Sequence, residues 1–160
     1  MPRKTHQLER YKKINQMTDT KITLKAWLWR WWPSMLTFAL VLWLTLAPDP
    51  VPKDTIPVFP GADKIVHAIM MGGLTGVLIF DYKRATTARG EKIPVRAVVV
   101  ICGIVLLFSI FDEFAQTFMA LGRSGDVWDF VADAVGVCLA GFAAMPVVNW
   151  LFRKRRGRQP

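Results

Sequence analysis

Residues 97–120 read AVVVICGIVLLFSIFDEFAQTFMA, an apolar run that leads directly into a polar motif. The purely apolar part ends at Phe111 and would extend only about 22 Å as a helix, whereas the hydrocarbon core of a bilayer is about 30 Å thick. Continued through Asp112 and Glu113 to the end of the stretch, the same helix reaches about 36 Å, which is enough to cross. The stretch therefore predicts a transmembrane helix that contains carboxylates.

Three further stretches of similar composition predict three further membrane spans, over residues 27–47, 64–82 and 127–152. Each is close to the roughly 20 residues that a membrane-spanning helix needs. The predicted fold class is therefore all-α, a polytopic membrane protein with a bundle of four transmembrane helices. One membrane domain, residues 27–152, lies between a basic tail of residues 1–26 and another of residues 153–160.

The distribution of charge predicts the orientation of these helices. The chain carries 21 Lys and Arg against 12 Asp and Glu, a net charge of +9. Both tails and the loop between the second and third spans are rich in Lys and Arg, whereas the other two loops hold only Lys53, Lys64 and Arg123. The positive-inside rule then predicts that both termini are cytoplasmic and that the protein is a multi-pass protein of the cell's inner (cytoplasmic) membrane. Anionic lipid head groups account for the basic residues, so membrane lipids, and no nucleic acid, are the predicted partners.

Polar motifs lie at the predicted outer ends of the second, third and fourth helices. The residues that share one helix face are Asp63 with His67, Glu113 with Gln116, and Asp126 with Asp129 and Asp133. An ionisable group at the centre of a membrane helix costs about 2.5–3.5 kcal/mol on insertion scales, and such groups usually face the bundle interior and mark a site. The three motifs therefore predict one outward-facing polar site where the helix ends converge.

The binding residues predicted for this site are Asp63, His67, Glu113, Gln116, Arg123, Asp129 and Asp133. Arg123 suits an anionic head group, because its guanidinium binds carboxylate or phosphate in a bidentate manner. His67 and Glu113 are the candidates for acid–base chemistry. No familiar nucleophile constellation accompanies them, so no reaction is predicted. No cofactor is predicted either, although His67 with Glu113, Asp129 or Asp133 leaves a divalent metal open.

Structural roles compete with these functional ones. Asp63 and Asp126 each fit the N-cap of the helix that follows. Lys64 fits an interfacial residue whose ammonium reaches the head groups, and Asp112 is expected to face away from Glu113. The remaining carboxylates could form an interhelical hydrogen-bond network that holds the bundle together.

The motifs together resemble those of the VanZ-like membrane proteins. The matching pattern is Asp63-Lys64-x-x-His67, Glu113-x-x-Gln116, and Arg123 followed by Asp129, position 133 and Gly136. The resemblance covers about residues 30–152 and departs from the family pattern at position 133, where Asp133 replaces the usual Asn. It implies a small multi-span envelope protein of a family linked to reduced susceptibility to teicoplanin, and it implies no settled biochemical activity.

Several functions fit this sequence. The favoured one is binding of, or action on, a lipid-linked or amphipathic envelope molecule at the outer leaflet. A small proton-coupled transporter, with oligomerisation left open, is an alternative, although transporter sites usually lie near the membrane midplane. A metal site and a purely structural membrane protein are the other two readings.

Overall fold

A computed structural model describes residues 24–47, 59–86, 91–118 and 126–154. The described chain is all-α and forms four helices: α1 Leu24–Leu46, α2 Ala62–Thr86, α3 Val95–Phe118 and α4 Val127–Lys154. The predicted element types and order are confirmed, with ends that differ by no more than four residues. Several predicted regions lie outside the described residues: most of both basic tails, residues 48–58 of the loop before α2, and Arg123.

Three of the helices are long and apolar enough to cross a membrane, over Ala62–Ala85, Val95–Phe118 and Val127–Arg153. The chain is therefore a multi-pass membrane protein. Helix α1 forms as predicted, with Arg30 and Pro33 inside it, and it is not among the three candidate spans. Its role as a fourth membrane span stays a prediction.

The chain divides into two units, residues 1–32 and residues 33–160. The described part of the first unit is the start of α1, up to Trp32. The second unit holds the rest of α1 together with α2, α3 and α4, and it contains all the interactions described below.

Local sequence explains where the helices begin. Gly61 precedes α2 with a φ of 87°, a left-handed conformation that glycine adopts without steric cost. Pro94 precedes α3, where its missing N–H costs nothing, and its carbonyl accepts the amide of Ala97 at 2.9 Å. Asp126 caps α4 as predicted, because its carboxylate accepts the amide of Trp128 at 2.9 Å. Asp63 lies inside the first turn of α2, so the predicted N-cap role there is wrong.

Helices α2 and α4 pack with their backbones in contact. A Cβ added to Gly72 would lie 2.9 Å from the carbonyl oxygen of Gly136, and one added to Gly136 would overlap the backbone of Ala68. This close approach is the small-residue packing typical of membrane helices. A Cβ added to Gly73 or Gly76 of α2 would meet nothing within 4 Å.

Apolar side chains of all four helices fill the space between them. One buried cluster lies in the middle of the bundle and contains Val41, Met71, Leu74, Val105 and Val137. A second lies nearer the start of α3 and contains Ile79, Ile93, Val98 and Val148. Many other large apolar side chains are exposed, as expected for helices whose outer faces contact lipid.

Helix α1 is attached by polar bonds at two levels. At its middle, Ser34 donates its amide and its hydroxyl to the carboxylate of Asp81 on α2, at 3.0 and 2.7 Å. Near its end, the hydroxyl of Thr45 donates to Asp112 on α3 at 2.9 Å. Between them, the rings of Phe38 and Phe108 are tilted against each other with centroids 4.8 Å apart.

Candidate functional site

The polar motifs meet at one end of the bundle, where α2 and α4 begin and α3 ends. We call this the acidic end. It brings together the following described residues: Asp63, Lys64, His67, Asp112, Glu113, Gln116, Asp126, Asp129 and Asp133. The opposite end, where α2 and α4 finish and α3 begins, is called the basic end.

The deepest part of the acidic end joins three helices through His67, Asp133 and Ser109. His67 Nδ1 lies 3.3 Å from Asp133 Oδ1, and the hydroxyl of Ser109 donates to Asp133 Oδ2 at 2.5 Å. Asp133 is 1% exposed and Ser109 is fully buried. The carboxylate therefore stands between the hydroxyl and the imidazole, whereas a catalytic triad has its histidine in the middle.

Glu113 completes this buried group from the end of α3. Its Oε1 lies 3.9 Å from His67 Nδ1 and is buried without a hydrogen-bond partner, while its Oε2 accepts the amide of Asp126 at 3.2 Å. One donor atom from each of His67, Glu113 and Asp133 lies within 4.8 Å of the other two. These three residues are the described ones best placed to hold a cation.

Lys64 organises the outer part of the acidic end. Its ammonium lies 3.1 Å from Asp63, 3.0 Å from Asp126 and 3.1 Å from Asp129. The side chain is only 34% exposed, so it does not extend freely toward the membrane surface as the sequence had indicated. It neutralises part of a cluster in which acidic groups outnumber basic ones.

The contacts of Asp126 keep its carboxylate ionised, so that it loses its charge only at acidic pH. The amide of Trp128 and the ammonium of Lys64 hold the pKa of the Asp126 carboxyl below its usual value. Because the pKa of Asp126 is lower in the folded protein than in the unfolded chain, its ionised carboxylate stabilises the fold. This stabilisation is present above the ordinary carboxyl pKa and is lost as the pH falls through the folded pKa. At neutral pH the bonds between Lys64 and Asp126 and at the α4 N-cap are therefore fully formed.

Replacing Lys64 by glutamine is expected to lower the thermal unfolding midpoint of the protein in detergent. Three carboxylates would lose their shared cation and repel one another. The difference from wild type should shrink at high salt, because screening weakens the repulsion. Lys92→Gln, which removes an exposed lysine at the basic end, is the charge-matched control and should leave the midpoint unchanged. Equal effects of the two substitutions would contradict this role for Lys64.

Asp112 and Gln116 serve a different contact from the one that their spacing suggested. Asp112 is 3% exposed and accepts both the Thr45 hydroxyl and the side-chain amide of Gln116, the latter at 3.0 Å. Gln116 thus pairs with Asp112, although the spacing had grouped it with Glu113. Through its bond with Thr45, Asp112 anchors α1.

The remaining predicted residues have less defined positions. Asp63 is at the periphery, with a side chain that is 59% exposed. Arg123 lies outside the described residues, so its proximity to the cluster stays a prediction.

A groove opens between α3 and α4 beside this cluster. It has a volume of about 240 Å³ and is lined by Ile110, Glu113, Phe114, Thr117, Asp126, Val127 and Phe130. Most of the lining is apolar, and Phe114 and Val127 are well exposed toward the surroundings of the bundle. The groove therefore has an apolar floor with two carboxylate residues, Glu113 and Asp126.

Comparison with known proteins agrees with the sequence motifs. The family model described as VanZ/LLP1 matches residues 4–150. The chain belongs to the VanZ/LLP1 family. No curated protein and no solved structure shows a significant match to it.

In this VanZ/LLP1 family member, the basic end holds a second polar group that the sequence did not indicate. Asp81 is fully buried on α2, and its Oδ1 lies 3.1 Å from Nη2 of Arg84. Nearby, Lys83 donates to the carbonyl of Glu91, and Asn149 accepts the amide of Ile93 at 3.3 Å. These bonds join the ends of α2 and α4 to the start of α3.

Proposed function

We propose that this VanZ/LLP1 family member binds an amphipathic or lipid-linked molecule of the cell envelope, with the acidic end facing the outside of the inner membrane. The groove between α3 and α4 carries the proposal, because it places an apolar surface directly beside the carboxylates of Glu113 and Asp126. The apolar chain of the ligand would lie against Ile110, Phe114 and Phe130, and its head group would reach Glu113 and Asp126.

The groove is large enough to hold part of a ligand but not a whole one. At about 240 Å³ it is smaller than the roughly 300–1,000 Å³ of typical small-molecule pockets. It therefore suits a segment of one acyl or prenyl chain, with the remainder of that chain in the lipid phase.

The charge of the acidic end favours a particular kind of head group. Six carboxylates lie near one lysine and one histidine among the described residues: Asp63, Asp112, Glu113, Asp126, Asp129 and Asp133. Donor groups such as amines and hydroxyls are complementary to this surface, as is an ammonium. Arg123, if it reaches the site, would add a guanidinium that can bind a phosphate group. A ligand from the envelope is also consistent with the teicoplanin link that the family resemblance implies.

The distribution of basic residues supports an outer position for the acidic end. Lys83, Arg84, Lys92 and Arg96 lie at the opposite end of the bundle, close to the end of α2 and the start of α3. Loops rich in lysine and arginine remain in the cytoplasm. The polar site would then be open to periplasmic or outer-leaflet molecules.

Native mass spectrometry of the full-length protein, extracted with its own lipids, tests the proposal. Ile110→Trp would fill the groove, and we expect it to lose a lipid or precursor that wild type retains. Leu107→Trp, one turn away on the lipid-exposed surface of the same helix, is the matched control and should keep the bound molecule. Retention of the same molecules by both variants, or none by wild type, would contradict binding in the groove. In the second case, the buried network would serve only to hold the helices together.

A further inference from the structure

We propose that His67, Glu113 and Asp133 form a binding site for a divalent transition-metal cation such as Zn²⁺ or Mn²⁺. The three residues come from three different helices, α2, α3 and α4, and converge at the buried part of the acidic end. The site shares Glu113 with the groove, but its existence does not require that the groove bind a ligand.

The spacing of the donor atoms leaves room for an ion between them. Bonds of about 2.0–2.2 Å around a tetrahedral zinc ion place neighbouring donor atoms about 3.3–3.6 Å apart. His67 Nδ1 lies 3.3 Å from Asp133 Oδ1 and 3.9 Å from Glu113 Oε1. Hydrogen bonds of this type usually measure about 2.7–3.2 Å. A cation between the three atoms would need only small movements of their side chains.

The unpartnered oxygen of Glu113 is an independent indication. Its Oε1 is buried without a hydrogen-bond partner and lies on the side of His67 and Asp133. A carboxylate oxygen left in this way costs free energy, because it has lost water without gaining a donor. A metal ion at the centre of the three residues would remove that cost.

The chemistry of the donor set selects the class of cation. An imidazole suits zinc and other transition metals, and carboxylates extend the range to manganese. Two carboxylates balance the two positive charges of the ion. Three protein ligands also leave at least one coordination position for water or a ligand atom, as in catalytic zinc sites.

Neighbouring bonds already orient the carboxylates. The hydroxyl of Ser109 holds Asp133 Oδ2, which leaves Oδ1 facing the imidazole. The amide of Asp126 holds Glu113 Oε2, which leaves Oε1 facing the same point. Metal-binding carboxylates are commonly fixed by such outer hydrogen bonds. The site therefore has its ligands and their supports in place on three helices.

The test uses full-length protein in detergent, treated with a chelator and then titrated with Zn²⁺ and separately with Mn²⁺ by calorimetry. We expect one saturable site in wild type. Glu113→Gln and His67→Gln should each weaken it by more than about 100-fold, the upper end of the loss seen when only an outer partner is removed. Glu91→Gln, which removes an exposed carboxylate at the basic end, is the control and should retain the wild-type affinity.

X-ray absorption at the zinc edge of wild type gives a readout that does not depend on the folding of any variant. We expect one imidazole nitrogen and a shell otherwise made of oxygen. No saturable site in folded wild type, a zinc shell without imidazole, or unchanged binding in both ligand variants would overturn the metal site. Loss of lipid from Ile110→Trp would still support the groove in any of these cases, so the two proposals fail separately.

Discussion

Gly136→Ala is expected to destabilise the protein by about 1–3 kcal/mol, the usual cost of inserting a methyl group where no space exists. The new Cβ would overlap the backbone of Ala68, and its neighbour Gly72 lies against the Gly136 carbonyl. A flexible side chain could change its rotamer to make room, but the backbone of a helix cannot. Helices α2 and α4 must therefore separate. Equilibrium unfolding in mixed detergent–SDS micelles measures the loss.

The matched control is Gly73→Ala, the neighbour of Gly72 on α2. Nothing lies within 4 Å of a Cβ added there. Alanine is favoured over glycine in a helix by about 0.8–1 kcal/mol, so Gly73→Ala should be neutral or stabilising. If both variants lost stability equally, the close helix contact at Gly136 would be wrong. Because His67 and Asp133 lie beside this contact, Gly136→Ala should also weaken zinc binding.

Asp81→Ala is expected to reduce the free energy of unfolding by about 2–4 kcal/mol. The substitution leaves the amide and hydroxyl of Ser34 without their acceptor and Arg84 without its ion pair. Breaking a fully buried pair costs about 3–5 kcal/mol. The Arg84 side chain is 31% exposed and can reach water, which reduces the expected loss. The same unfolding titration measures it.

Two further substitutions make this prediction specific. Asp81→Asn keeps an acceptor for Ser34 and should lose clearly less stability than Asp81→Ala. Asp63→Ala removes a carboxylate from the same helix at a largely exposed position and should change stability by no more than about 0.5 kcal/mol. If Asp81→Ala proved as mild as Asp63→Ala, the attachment of α1 through Ser34 would not contribute to stability.

The sequence predicted the helices and the meeting of their polar ends. The apolar stretches fixed where each helix lies, and the alternating direction of successive helices brought the motifs of α2, α3 and α4 to one end. Hydrogen bonding within the backbone makes helices the expected structure for such stretches in lipid. The family resemblance rested on the same motifs and was confirmed over residues 4–150.

The partners of individual side chains were harder to predict. A helix that is apolar on all sides does not show which face points toward its neighbours. Lys64 therefore looked like a surface residue, although its rotation on α2 directs it to Asp126 and Asp129. Ser109 drew no attention inside the apolar run of α3, and its bond to Asp133 depends on how α3 and α4 face each other.

Asp81 was missed for a related reason. It lies next to the basic loop after α2, where charged residues are common, and its burial depends on Ser34 of a helix 47 residues earlier. The pairing of Asp112 with Thr45 spans an even longer separation in sequence, 67 residues. Both contacts belong to the attachment of α1, which no sequence period indicated.

The backbone contact between Gly136 and Ala68 has a mechanical consequence for the whole of α4. For a rigid tilt of α4 it would be the pivot, and it lies about a third of the way along the helix. Asp133 is three residues, about 4.5 Å, from the pivot, whereas Lys154 is eighteen residues, about 27 Å, beyond it. A rigid tilt of α4 would therefore displace Asp133 by only about one sixth of the displacement of Lys154. Pro146, inside the long arm, can absorb bending there. Motion at the basic end thus reaches the histidine–carboxylate group strongly reduced.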